Sequence, residues 1–315
     1  MTLVAHDVTA TDGTRLRLWE RSPPNPTDAV VFLHGATYAS RAIFAPEGAP
    51  TYSWLAAVAD AGAAGFGLDV RGYGDSERPA VMDEPPDAGS PLVRADVAAS
   101  DLRDAIAAVR ERIDGDVHLV GTSWGTIVAG RLLASADAPT ISSVTMYAPV
   151  YQPSAALVES FDLGDPPRAY RTVNRRGARR RWNSQIPARE PAMYRGGDST
   201  EDPVFDAFWR TLVDSGQGID EDTIRAPNGT LLDLLDGAAG EPVYDPAGID
   251  VPTLVIRGSI DPTSTRTDAL SLYDALEVPD DERSYVELAG GTHFVHLERR
   301  RHALYETVRC FQEQH

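Results

Sequence analysis

The chain has 315 residues, enough for one large α/β domain with an insertion or for two domains. Hydrophobic residues make up 42% and charged residues 24%, a composition typical of a soluble globular protein that excludes a disordered or collagen-like chain. The 29 basic and 47 acidic residues give a net charge of −18 at pH 7. Such a surface repels phosphate backbones and anionic lipids, so we expect neither nucleic acid nor a membrane as a partner.

The single cysteine, Cys310, excludes an intrachain disulfide and a cysteine-based zinc site. The first residues show no basic segment followed by an apolar one, the pattern of a secretory signal. No segment approaches the roughly 20 apolar residues of a membrane span. We therefore expect a cytoplasmic protein.

Apolar segments of strand length alternate with helical patterns through most of the chain. The alternating segment Thr14–Trp19 predicts an antiparallel edge strand. Buried strands are predicted at Ala29–Leu33, Gly65–Val70, Val117–Val120, Ser143–Ala148, Pro252–Arg257 and Ser284–Leu288. Helices are predicted at Trp54–Ala61, within Pro91–Ile113, and at Trp124–Ala136, Thr265–Leu276 and Glu298–Gln312. This alternation predicts an α/β fold with a mainly parallel sheet and helices on both faces.

The alternation stops between residues 150 and 242, where aromatic residues, prolines and arginines are frequent. We interpret this segment as a cap, or lid, inserted between the predicted strands Ser143–Ala148 and Pro252–Arg257, and expect it to be mostly helical. Residues 1–149 and 243–315 would then form one core.

A G-x-S-x-G motif at Gly121–Gly125 contains the candidate nucleophile, Ser123. The motif follows a predicted strand and begins a predicted helix, the setting in which a serine occupies a strained turn with its hydroxyl exposed. A serine hydroxyl is a weak nucleophile at neutral pH, so it needs a nearby base such as an imidazole, oriented by a carboxylate.

Several motifs together resemble those of the α/β-hydrolase family over nearly the whole chain. They are His34-Gly35-Ala36 after the second predicted strand, the stretch Asp69–Ser76, the motif around Ser123, Asp261 in Gly258–Asp261, and His293 in Gly290–Phe294. The order Ser123, Asp261, His293 is the order of the nucleophile, acid and base in this family. The resemblance implies that the backbone N–H groups of Ala36 and Trp124 form the oxyanion hole. It also implies a mainly parallel sheet with a cap insertion.

Other residues compete for two of these roles. Asp162 and Asp165 are alternatives to Asp261, because some members of the family carry the acid after an earlier strand. His296 follows His293 by three residues, but no third ligand at suitable spacing is evident, so we expect no metal. No motif indicates a cofactor.

Aromatic residues near these motifs are candidates for substrate binding, because small-molecule pockets are mainly apolar. They are Tyr38, Phe44, Trp182, Trp209 and Phe294.

Nine arginines and one acidic residue lie between positions 168 and 195, a segment named here the arginine segment. Two interpretations stay open. Arginine pairs well with carboxylates and phosphates, so the segment would bind an anionic substrate, or it is a solvated surface. The arginines are too dense for all of them to face one pocket, so we expect at most two to reach it.

We expect a carboxylesterase-like serine hydrolase that acts on an ester or related acyl bond of a small molecule. Carbon–carbon bond hydrolysis is an alternative, as are acyl transfer, cyclisation and lyase reactions on the same fold. Neither a homodimer nor a monomer is excluded.

Overall fold

The computed structural model describes residues 1–186 and 203–315. These residues form eleven strands: β1 (Val4–Thr9), β2 (Arg15–Arg21), β3 (Ala29–Leu33), β4 (Ala64–Asp69), β5 (Val117–Thr122), β6 (Ser143–Tyr147), β7 (Tyr170–Asn174), β8 (Gly218–Asp220), β9 (Thr223–Pro227), β10 (Thr253–Gly258) and β11 (Arg283–Leu288). Eight of them make one sheet in the order β1-β2-β4-β3-β5-β6-β10-β11. The pairs β1–β2 and β2–β4 are antiparallel and all others in this sheet are parallel. The expected mainly parallel sheet is confirmed.

Helices cover the sheet. The described α-helices are α1 (Ser40–Phe44), α2 (Trp54–Asp60), α3 (Ala95–Arg110), α4 (Trp124–Leu133), α5 (Ala155–Val158), α6 (Arg175–Ser184), α7 (Pro203–Val213), α8 (Gly229–Ala238), α9 (Arg266–Ala275) and α10 (Arg301–Gln312). Short 3₁₀ helices lie at Pro50–Tyr52, Ala80–Asp83, Pro86–Ala88, Pro246–Gly248 and Val295–Leu297. In the described residues, no helix is long and apolar enough to span a membrane.

The sequence interpretation missed the first strand of the sheet. Arg15–Arg21 lies between β1 and β4, so β1 is the edge strand and the prediction that the segment near Thr14 is an edge was wrong. In β1 only Val8 is buried. The strand therefore lacks the apolar alternation that marks a half-buried strand in a sequence.

The insertion between β6 and β10, the sixth and seventh strands of the main sheet along the chain, contains strands as well as helices. The strands form a separate antiparallel sheet in the order β7-β9-β8. The expectation of a mostly helical insertion therefore missed β7, β8 and β9. These strands have three to five residues and contain several exposed polar side chains, so their apolar pattern is too short to be recognised.

The insertion and the main sheet share one continuous hydrophobic core. Trp182, Phe205 and Phe208 of the insertion are buried within it. Polar contacts also connect the insertion to the core, since Asp233 of α8 accepts hydrogen bonds from the side chain of Arg94 and the backbone N–H of Ala95 at the start of α3. The insertion is thus fixed directly against the edge of the sheet where the candidate residues lie.

Candidate active site

The candidate residues follow the carboxyl ends of parallel strands, which meet at one edge of the sheet. Ser123 comes directly after β5, and Ala36 lies three residues after β3. Asp261 lies three residues after β10, and His293 lies five residues after β11. The topology therefore brings four segments that are distant in sequence to one place.

Ser123 occupies a strained turn between β5 and α4. Its φ of 56° and ψ of −122° lie in a region that non-glycine residues rarely adopt. The two glycines of the motif allow this turn. A Cβ at position 121 would lie 2.7 Å from the carbonyl oxygen of Gly125, and one at position 125 would lie 2.6 Å from the carbonyl oxygen of His34. Both positions therefore require glycine for strand and helix to approach so closely.

Asp261 and His293 form a buried pair. The Oδ2 atom of Asp261 lies 2.7 Å from Nδ1 of His293. The Oδ1 atom accepts hydrogen bonds from the backbone N–H groups of Thr263 and Ser264, at 2.8 and 3.1 Å. Three contacts thus hold this carboxylate in place. They leave Nε2 of His293 as the ring nitrogen available for chemistry.

Both backbone groups of His293 are held by residues that the sequence analysis did not identify. Its N–H donates to the side-chain oxygen of Gln185, 3.0 Å away, and its carbonyl accepts from the hydroxyl of Tyr147 at 3.1 Å. Gln185 belongs to the insertion and follows α6, whereas Tyr147 ends β6. No local pattern in the sequence marks either contact.

The peptide between Gly35 and Ala36 is oriented by His34. Nδ1 of His34 lies 2.7 Å from the Gly35 carbonyl oxygen, and its Nε2 accepts from the N–H of Val70 at 3.1 Å. These contacts require a neutral ring that donates from Nδ1, and burial lowers the pKa of His34 to about 4. In a trans peptide the C=O and N–H groups point in opposite directions. Fixing the Gly35 carbonyl therefore also fixes the direction of the Ala36 N–H.

The Ala36 carbonyl is held as well. It accepts hydrogen bonds from the Tyr73 hydroxyl at 2.7 Å and from the guanidinium of Arg171 at 2.6 Å. The N–H groups of Ala36 and Trp124 donate to no other residue in the described part of the chain. Both are therefore available to an external acceptor next to Ser123, which is the arrangement of an oxyanion hole.

The side chain of Trp124 does not line the site. Its indole is fully buried, and its Nε1–H donates to Oδ2 of Asp233 at 2.8 Å. The ring is directed toward α8 and held there, and it is not among the residues that line the cavity. Only the backbone of Trp124 faces the chemistry.

A cavity of about 660 Å³, counting the space at its open mouth, lies over Ser123 and His293. Most of its lining residues are apolar, and several come from the insertion. The lining consists of Gly35, Ala36, Thr37, Tyr38, Ile43, Thr122, Ser123, Val150, Leu157, Phe161, Arg181, Leu231, Leu234, Thr263, His293, Phe294 and His296. In this structure no hydrogen bond joins the side chains of Ser123 and His293, both of which are described. Such contacts commonly tighten only when substrate binds.

The five aromatic candidates for substrate binding divide into two groups. Tyr38 and Phe294 line the cavity as expected. Phe44, Trp182 and Trp209 do not, and their placement in the pocket was wrong. Each of these three rings is instead part of the hydrophobic core.

Each of these three rings makes its own contacts within the protein. Phe44 packs on Phe32 with ring centroids 5.0 Å apart. Trp182 stacks on Phe208 at 5.6 Å. Trp209 donates from its Nε1 to the Glu221 carbonyl at 3.1 Å. Aliphatic residues, among them Leu157, Leu231 and Leu234, line the cavity in their place.

The competing candidates lie away from His293 or make other contacts. Asp162 is exposed and pairs with Arg168 at 2.9 Å. Asp165 is also exposed. Nδ1 of His296 lies 3.0 Å from the Tyr147 hydroxyl, so it has a structural partner. Asp69 accepts from the Trp19 indole at 2.9 Å and from two backbone N–H groups, so its carboxylate is taken up by structural contacts.

The arginine segment is divided between several surroundings. Arg175 pairs with Asp206 at 2.9 Å, whereas Arg176 and Arg180 are exposed. Arg171 reaches the loop after β3 that contains Gly35 and Ala36, named here the oxyanion loop, and Arg181 lines the cavity. Arg189 and Arg195 lie outside the described residues. Among the described arginines of this segment, Arg181 lines the cavity and Arg171 lies directly behind the cavity wall at Ala36.

A family model described as "Alpha/beta hydrolase family" matches residues 30–307. The chain belongs to the alpha/beta hydrolase family. No curated protein matches the sequence.

Solved structures of other family members resemble the whole chain at low identity. An esterase from Exiguobacterium antarcticum is 17% identical, with a TM-score of 0.66 over 98% of this chain and 100% of that one. A serine hydrolase from Cycloclasticus zankles is 14% identical, with a TM-score of 0.67 over 99% and 98%. An E-2-(acetamidomethylene)succinate hydrolase is 16% identical, with a TM-score of 0.65 over 99% and 100%. At such identities the likeness concerns the alpha/beta hydrolase fold alone.

Proposed function

We propose that this protein is a carboxylesterase-like serine hydrolase that cleaves an ester or related acyl bond of a small organic substrate through an acyl-enzyme on Ser123. The observation that carries the proposal is the 2.7 Å contact between Asp261 and His293 beside the strained turn of Ser123. The names of similar structures, which include an esterase and serine hydrolases, support the same class of reaction.

Acylation begins when the Ser123 hydroxyl attacks the substrate carbonyl carbon and its proton passes to Nε2 of His293. The negative charge that develops on the carbonyl oxygen is stabilised by the N–H groups of Ala36 and Trp124. Loss of one such donor typically costs about 3 kcal/mol of transition-state stabilisation. When the carbon–oxygen bond to the leaving group breaks, His293 returns the proton to the departing alcohol.

Deacylation repeats these steps with water as the nucleophile. Nε2 of His293 takes a proton from water, the hydroxide adds to the acyl carbon, and the acid departs as Ser123 regains its proton. Asp261 stabilises the imidazolium in both halves of the reaction. The cavity opens to solvent, which supports hydrolysis over transfer of the acyl group to another acceptor.

The test is hydrolysis of chromogenic esters of increasing acyl length, with product analysis. Wild type should release the free acid with a burst of one equivalent of chromophore per active site wherever deacylation is slower than acylation. Ser123→Ala should lose both the burst and the turnover. Turnover that survives in Ser123→Ala would contradict the proposal, and an acyl product on an added alcohol or amine instead of the free acid would indicate a transferase.

A further inference from the structure

Arg181 is the one charged side chain, apart from the histidines, among the described residues that line the cavity. No aspartate or glutamate belongs to that described lining. This wall of the site is thus positive, although the protein as a whole has a net charge of −18. A cation placed among apolar side chains interacts more strongly with an anion than it would in water.

The guanidinium of Arg181 has no partner of opposite charge among the residues that the structure describes. Within the described residues no carboxylate lies within 4 Å of it, whereas its neighbours Arg175 and Arg179 are both within 4 Å of Asp206. The exposed position of Arg181 at the cavity mouth lets it contact both solvent and a ligand. Its fork of donors suits a planar carboxylate.

Arg171 strengthens the positive potential from behind the oxyanion loop. Its guanidinium is paired only with neutral acceptors among the described residues, namely the carbonyls of Ala36 and Pro227 and the side-chain oxygens of Thr37 and Asn228. Burial and the nearby charge of Arg181 both lower its pKa. Because its charge is not neutralised by a carboxylate, its field extends toward the cavity.

Tyr38 lies at the same wall as Arg181. Its side chain is buried, its ring lines the cavity, and its hydroxyl donates to no other described residue. Burial raises the pKa of Tyr38, and the charges of Arg181 and Arg171 act in the opposite direction. The phenol therefore stays protonated at neutral pH and offers an O–H donor beside the guanidinium.

We propose that the substrate carries a carboxylate that Arg181 binds at the mouth of the cavity, with the Tyr38 hydroxyl as a second donor. This inference rests on the proposed function and names the class of substrate for the same site. Two donor groups that line the same cavity match the two oxygens of a carboxylate. A phosphate has more acceptor oxygens than this wall can satisfy, so it is the poorer fit.

The first experiment compares two pairs of esters that differ only by a carboxylate. One pair places it on the acyl side, as 4-nitrophenyl esters of glutaric acid and of its monoamide. The other places it on the leaving group, as acetyl esters of 4-hydroxybenzoate and 4-hydroxybenzamide. In at least one pair, wild type should favour the carboxylate at least tenfold in kcat/KM, and Arg181→Gln should remove that preference.

Arg180→Gln is the matched control, since Arg180 is the exposed neighbour on α6 and does not line the cavity. It removes the same charge from the protein and should keep the preference. Equal loss in Arg180→Gln and Arg181→Gln would indicate a general effect of charge and overturn the proposal. A preference that persists in Arg181→Gln would overturn it too.

A binding experiment separates this inference from the reaction. Glutarate, its diamide and phenyl phosphate are titrated calorimetrically into Ser123→Ala and into Ser123→Ala/Arg181→Gln. Glutarate should bind Ser123→Ala at least tenfold more tightly than the diamide, which carries no carboxylate, or phenyl phosphate, and the second substitution should remove the difference. If this holds while wild type hydrolyses no ester, the proposed function fails and the carboxylate site stands. Equal binding of acid and amide, or tighter binding of phenyl phosphate, would overturn the carboxylate site.

Discussion

The side-chain oxygen of Gln185 accepts a 3.0 Å hydrogen bond from the backbone N–H of His293. Gln185 lies in the insertion and His293 in the loop after β11, 108 residues later in the chain. The candidate base is therefore positioned partly by the insertion that roofs the cavity. The packing of the insertion over the cavity and the position of His293 are therefore linked by this hydrogen bond.

Gln185→Ala removes the acceptor and should lower kcat about tenfold, because His293 loses a contact that fixes the position of its ring. The effect on KM should be smaller, since Gln185 does not line the cavity. Gln185→Glu keeps an oxygen at the same distance and should recover most of kcat. Steady-state kinetics on one ester checks both variants.

Asn183→Ala is the control for Gln185, because Asn183 is exposed in the same turn of α6. It should leave kcat within about twofold of wild type. If Gln185→Ala and Asn183→Ala had the same kcat, the hydrogen bond between Gln185 and His293 would not contribute to activity.

Asp261→Asn should lower kcat by about 10⁴-fold with little change in fold. An amide at this position donates to Nδ1 of His293, so the proton is forced onto Nε2 and the ring can no longer act as a base toward Ser123. Asp162→Asn is the matched control, because Asp162 is an exposed acid of the insertion and pairs with Arg168. If Asp162→Asn lowered kcat and Asp261→Asn did not, the carboxylate that orients His293 would belong to the insertion.

Asp233→Ala should destabilise the protein by roughly 3 kcal/mol, because it leaves the Trp124 indole N–H, the Ala95 N–H and the Arg94 guanidinium without their buried acceptor. Asp236→Ala removes a partly exposed partner of the same arginine and should cost less than about 1 kcal/mol. Urea unfolding of both variants measures the difference. Equal losses would mean that Asp233 does not join the insertion to the turn of Ser123.

The local motifs carried most of what the sequence predicted about this site. Ser123, Asp261 and His293 each sit in a glycine-containing segment after a strand, and parallel strands bring such ends together without further information. The contacts of Gln185 and Asp233 could not be foreseen in the same way. Each joins residues more than 100 positions apart, and which polar side chain meets which backbone group depends on how the insertion packs.

The lining of the cavity was predicted poorly for a related reason. The apolar character of small-molecule pockets predicts Trp182 and Trp209 as lining residues, yet such rings also give the largest burial in a small core. The structure uses them for the core of the insertion, and Leu231 and Leu234 of α8 line the cavity. A helical pattern shows which face of α8 is apolar, but not whether that face meets the core or a substrate.

Asp268 near the start of α9 should make the protein less stable as the pH rises. Burial raises its pKa from 3.8 to about 7, and its Oδ2 atom has no hydrogen-bond partner in the described part of the chain. The folded state thus holds this proton more tightly than the unfolded state. The stabilisation is complete below about pH 4 and is lost as the pH rises toward 7.

Asp268→Asn should therefore flatten the pH dependence of stability. Between pH 5 and pH 8, wild type should lose about 3 kcal/mol more of its free energy of unfolding than the variant, since pH 5 lies two units below the pKa of about 7 and one pKa unit corresponds to about 1.4 kcal/mol. Asp274→Asn, an exposed position of the same helix, should leave the wild-type slope unchanged. Urea unfolding at the two pH values provides the comparison, and parallel curves for wild type and Asp268→Asn would refute the assignment.

The identity of the nucleophile is tested most directly by mass spectrometry after treatment with a fluorophosphonate. Wild type should gain one covalent adduct, mapped to the peptide that contains Ser123, because we propose that His293 activates this hydroxyl beside the N–H groups of Ala36 and Trp124. Ser123→Ala should gain none, and His293→Ala should react at least a thousandfold more slowly. An adduct on another residue, or labelling that persists in Ser123→Ala, would contradict the account.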